Sequence, residues 1–153
     1  MNKDYVQNTN DLVDKLYDFC SKIWPDVTGY KDALPDPDSK TRPQNRSPLF
    51  VIIAQTGKYS CVTAYVDIQI GLQFTSNASE NISYIEAVRQ IRNHVDKFNL
   101  EIFNHPSGLF YGALIGDISW EIPADAARPV WQGLINITFE LPHGVHNNNN
   151  FLV

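Results

Sequence analysis

Few residues in this chain are placed to do chemistry. His143 and His146 stand three apart, a spacing at which one helical turn can present two imidazoles to a metal. They fall in HGVHNNNN, among Gly and Asn and without an acidic or cysteine partner, so a solvated tail is expected there. Asp36 with Asp38, or Glu121 with Asp125, could be paired as general acid and base. Aspartates beside prolines in a polar stretch are instead the ordinary residues of turns. Cys20 and Cys61 lie in unrelated segments among apolar neighbours, with no CxxC and no histidine close in sequence. They read as reduced, buried thiols of a cytoplasmic protein. Gly112 and Gly116 are four apart but match no phosphate-binding loop, and no serine sits in a nucleophile elbow. Arg89 and Arg92 have Glu86 and Asp96 at helical spacing, which ordinary side-chain pairing explains. His94 reads as a surface or boundary position of a helix, and His105 belongs to a turn. Trp120 and Trp131 fall on inward strand faces, where core packing is favoured over a ligand platform. The expectation is a protein that is not an enzyme, with no catalytic residues, no cofactor and no metal.

The composition narrows the class. A chain of 153 residues, 43% hydrophobic, argues for one domain with a real core. A net charge of -5 argues against a main role in gripping nucleic acid or an anionic membrane, since both need a basic face. MNKDYVQNTND lacks an apolar signal core, and no apolar run approaches 18 residues, so no membrane partner is expected. Without a secretory route, the glycosylation patterns at Asn77, Asn81 and Asn136 are chance matches.

The elements that must carry any function are legible from periodicity. Leu12, Leu16, Phe19 and Ile23, widened by Val13 and Cys20, form the stripe of a first helix. Thr9 or Asn10 caps it and Pro25 stops it. Residues 32–48, DALPDPDSKTRPQNRSP, are rich in proline and charge and read as an exposed loop. LFVIIAQ, Leu49 to Gln55, suits a strand buried on both faces. TGK follows, with Gly57 at the expected turn. YSCVTAYVDIQIGLQF then alternates, with Val62, Ala64, Val66, Ile68, Ile70, Leu72 and Phe74 inward. Cys61, Thr63, Tyr65, Asp67, Gln69 and Gln73 point outward. At roughly 50 Å, such a strand is long enough to overshoot its sheet or bend at Gly71. A capping box at Ser83 to Glu86 opens a second helix, with Tyr84, Val88, Ile91, Val95 and Phe98 on one face. LFYGALIGDISWEI and VWQGLINITFEL read as two more strands. The order α-β-β-α-β-β predicts an α+β, two-layer domain over residues 1–142, with helices on one face of a mainly antiparallel sheet. Residues 143–153 read as a flexible tail.

The order of short motifs resembles the tail terminator or tail-completion proteins of long-tailed bacteriophages. They are Ile70-Gly71 at a strand end, Ile91-Arg92 on a helix, Trp120-Glu121-Ile122-Pro123, and Trp131-Gln132-Gly133 leading into the last strand. The resemblance covers roughly Asp11 to Pro142. The Asn-rich end and the polar loop from Asp36 to Pro48 lie outside it. It implies a structural virion protein at the head-proximal end of the tail, assembled in the host cytoplasm. Such subunits form rings with copies of themselves, commonly hexamers. They end tail tube polymerisation and offer a surface to the head connector or head-completion protein, with DNA only in transit. The resemblance implies no enzymatic activity and no cofactor. A head-completion or neck adaptor, or another minor tail protein, is the alternative. A small-ligand or enzymatic α+β domain is a further one.

A ring needs head-to-tail contacts that close. The expected contact residues are Arg42 and Arg46 on the polar loop, and Gln55, Thr56, Gly57 and Lys58 at the hairpin turn. Both segments read as exposed and irregular, carried on a rigid sheet.

Overall fold

The computed structural model describes residues 6, 8–34, 48–75, 84–104, 114–123 and 130–141. Its elements in chain order are α1 (Thr9–Ile23), β1 (Thr28–Lys31), β2 (Leu49–Tyr59), β3 (Ala64–Thr75), α2 (Tyr84–Phe103), β4 (Leu114–Glu121) and β5 (Val130–Leu141). The fold is α+β, with one five-stranded sheet ordered β1-β2-β3-β5-β4. All neighbours are antiparallel except β1, which lies parallel to β2 with Thr28 opposite Leu49. β1 is the strand missing from the expected order. At four residues, one of them glycine, it is too short to show a period.

α1 starts one residue earlier than expected. The Asn8 side chain, not Thr9 or Asn10, accepts from the Asp11 N–H at 2.9 Å. Its carboxamide oxygen satisfies one of the orphan donors of the first turn. The helix ends at Ile23, just ahead of Pro25. Its apolar stripe packs over β1 and β2, while α2 packs over β3 and β5. α2 runs to Phe103, five residues beyond the predicted Phe98, because Ile102 continues the buried face. Ser83 of the expected capping box lies outside the described residues, as do Arg42, Arg46, most of the loop, His105 and the tail from residue 143.

The alternation of β3 holds from Ala64 to Leu72: Ala64, Val66, Ile68, Ile70 and Leu72 are buried, and Tyr65, Asp67 and Gln69 are exposed. Register places these buried residues opposite Phe50, Ile52, Ile135, Ile137, Phe139 and Leu141, so the central strands contribute one continuous apolar face. One expectation fails at the start of this strand: Val62 is exposed because it lies in the turn before the strand begins. At the other end Gln73 lies on the outer face as expected, opposite Leu49 and Gln132, yet is buried there. β2 is buried on both faces from Leu49 to Ile52, as LFVIIAQ implies; Leu49 and Val51 stand on the side away from the helices. β5 pairs with β3 along its whole length, from Ala64–Leu141 to Thr75–Val130. The long strand therefore does not overshoot the sheet, because β5 extends with it.

Aromatic rings fill the space between helices and sheet. Trp24, 1% exposed, lies with its ring centroid 5.5 Å from Phe50 and 5.8 Å from Phe98. Its indole N–H donates to the His94 carbonyl at 3.2 Å, which ties the end of α1 to α2 and satisfies the buried donor. His94 is a boundary residue, with its ring 4.9 Å from Phe74. Lys31 pairs with Asp14 at 3.1 Å, joining β1 to α1. The carboxylate beside it raises the Lys31 pKa. Both groups are well exposed, so the pair adds little to stability.

Gly133 explains the glycine in Trp131-Gln132-Gly133. A Cβ there would stand 2.4 Å from Cγ2 of Ile91, a fully buried α2 residue. The absent side chain lets α2 settle onto β5. Gly133→Ala must push the helix away or distort Ile91. We expect a loss of about 1–3 kcal/mol, the usual cost of overpacking, read as a lower urea midpoint.

Candidate assembly surface

The expected hairpin turn at Gln55 to Lys58 is not a turn. Gln55, Thr56, Gly57 and Lys58 lie inside β2, which continues to Tyr59, and the chain reverses at Ser60 to Thr63. Ser60 N–H donates to the Thr63 carbonyl at 2.8 Å, and Thr63 N–H donates to Ser60 Oγ at 3.1 Å. The two hydroxyls also lie 2.6 Å apart. A serine and a threonine three residues apart close the loop with their own side chains. Gly57 serves close approach instead: a Cβ there would meet the Tyr65 carbonyl oxygen at 2.7 Å. Gln55 sits where the register slips between Ala54 and Thr56, which makes it the residue of a β-bulge.

All four hairpin candidates are exposed, as expected of contact residues, and so is the chain on to Val62. At the same end of the sheet Ala64, Val66, Phe139 and Leu141 remain buried. The core thus follows β3 and β5 and leaves the far half of β2 uncovered. Tyr59 is 68% exposed and Val62 61% exposed, with Tyr65 beside them. The tip thus mixes two exposed apolar side chains with polar ones, and its one charged residue between Gln55 and Ala64 is Lys58. Cys61, expected to be buried, is exposed at this tip, while Cys20 is fully buried in α1. Burial pushes the Cys20 thiol well above its ordinary pKa. At pH 8 a thiol reagent should therefore label Cys61 rapidly and Cys20 only after unfolding. Counting modified cysteines by mass, with and without denaturant, checks this.

Behind the tip the sheet carries a polar rung that the sequence reading did not single out. The Asp67 carboxylate accepts from Thr56 Oγ1 at 3.0 Å and from Thr138 Oγ1 at 2.8 Å, tying β2, β3 and β5 together on the face away from the helices. Register slips flank it on both sides, at Gln55 in β2 and between Ile115 and Ile118 in β4. Between these slips lies a pocket of about 410 Å³ lined by Gln55, Thr56, Asp67, Gln69, Asp117 and Ser119 among others. A threonine two residues before Glu140 and another beside Gly57 were the available signals. Their meeting on Asp67 depends on register, which pattern alone does not supply. Among the described residues no three His, Cys, Asp or Glu side chains converge to hold a metal.

Further apolar side chains are exposed on α2, at Ile85, Leu100 and Phe103, and on the edge strand β4. Trp120, expected in the core, is 45% exposed. It does lie on the helix side, opposite the buried Ile135, but β4 is the last strand and nothing described flanks it further out. Trp131, on β5, is half-buried against the core. No helix among the described residues is long and apolar enough to cross a membrane. No family model matches the chain, and no curated protein matches it.

Proposed function

We propose that this protein is a tail terminator: a ring-forming virion subunit that caps a phage tail tube and offers the joining surface to the head. The observation that carries the reading is the exposed tip of the β2–β3 hairpin, with Tyr59 and Val62 uncovered at the end of the long central strands of the sheet. A tube grows by repeating one head-to-tail contact, and a subunit that completes only half of it ends the series. A strand-paired hairpin with Tyr59 and Val62 uncovered at its end suits such a contact. The motif order in the sequence supports the same reading. Its finer terms also belong to this proposal: six copies in the ring, helices and sheet arranged as in that family, the tube protein and head connector as partners, and DNA only passing through.

Deleting the protein from its phage tests the reading. Overlong, headless tails beside filled heads are expected. Tails of normal length joined to heads would move the assignment to a neck adaptor or another minor tail component.

A further inference from the structure

Resting on the ring reading, we infer that the hairpin tip of one copy docks on the β4 edge of the next. A closed ring needs two different patches on each subunit that complement one another. The tip and the β4 edge meet that need. Residues 55–64 contain Lys58 and no acidic residue, whereas residues 114–123 contain Asp117 and Glu121 and no basic residue. Tyr59 and Val62 at the tip, and Trp120 on β4, are exposed apolar side chains that such a contact would bury. β4 pairs with β5 on one side, and among the described residues no strand covers its other side. Among the described residues its outward backbone groups pair with no further strand, the condition under which an edge accepts another chain segment. The register slip between Ile115 and Ile118 interrupts the edge beside Asp117, so a tip with its own tight turn fits it better than a long strand would. Gln55 and Thr56 share one pocket with Asp117 and Ser119, whereas Tyr59 and Val62 lie beyond it at the turn, so the tip can reach one neighbour while β4 receives another. The outer face of α2 also exposes Ile85, Leu100 and Phe103, but its charges are mixed, Arg89, Arg92 and Lys97 against Glu86, Asp96 and Glu101, so it offers neither patch a complementary charge.

The chain already carries its own probe at the tip. Ser119→Cys places a thiol on β4, exposed like Cys61. Mild oxidation of this variant should give a ladder of disulfide-linked copies ending at the ring number, and Cys61→Ser in the same background should abolish it. Lys58→Glu should weaken assembly at least tenfold, and adding Asp117→Lys should restore it. A ring-sized mass with neither cross-link nor charge-swap rescue would overturn the tip-to-edge contact and leave the ring reading standing. A chain that stays monomeric, alone and with tube subunits, would overturn both.

Discussion

Ile68→Asp should abolish the soluble fold. Ile68 is fully buried at the middle of the central strand, between Ala54 of β2 and Ile137 of β5. Removing a buried isoleucine side chain costs about 2–5 kcal/mol. The carboxylate that replaces it finds no cation in this apolar layer, and its burial costs several kcal/mol more or forces protonation. Together these match the about 5–15 kcal/mol that holds a domain folded. The variant should appear in the insoluble fraction and show no cooperative urea transition. One residue away the outcome should reverse: Asp67→Asn stays on the exposed face and should remain soluble. An Ile68→Asp protein with a wild-type urea midpoint would show that the strand's faces are assigned the wrong way round.

Tyr59→Ser with Val62→Ser should break assembly and leave the fold alone. The two side chains are the most exposed large apolar groups of the hairpin, so the subunit loses little core packing without them. An aromatic anchor at the centre of an interface is worth about 2 kcal/mol or more, some thirtyfold in affinity, and the second site adds to it. The double variant should keep the wild-type circular dichroism and melting temperature and lose association by at least two orders of magnitude in sedimentation. Unchanged association would remove the hairpin from the contact.

Much of this architecture is legible in the chain, for definite reasons. The bounds of β5 are legible because alternation from Trp131 to Leu141 is closed by prolines on both sides. The inward face of β3 is legible from Ala64 onward because a period of two admits only one solution with its apolar set buried. Errors arise where a local signal has two physical uses. Gly57 in sequence suggests a turn, but the sheet uses it for contact with the Tyr65 carbonyl, and the turn falls to Ser60 and Thr63. The period places Trp120 on the helix face, where it does lie, yet facing the core and lying under it differ at an edge strand. β1 has too few residues to announce itself. The Thr56–Asp67–Thr138 rung joins three strands, so only register reveals it. Of the expected contact residues, the four on β2 proved exposed although their local structure differs from a turn.

The most direct test of the capping account is the mass of the purified protein, alone and mixed with the tail tube subunits of its virus. The account predicts a closed species, six times the 17.4 kDa chain for a hexamer, forming alone or on the tube end. It also predicts that tubes assembled in its presence stop at discrete lengths. A monomer in both samples, with tube lengths unaltered by its addition, would contradict it.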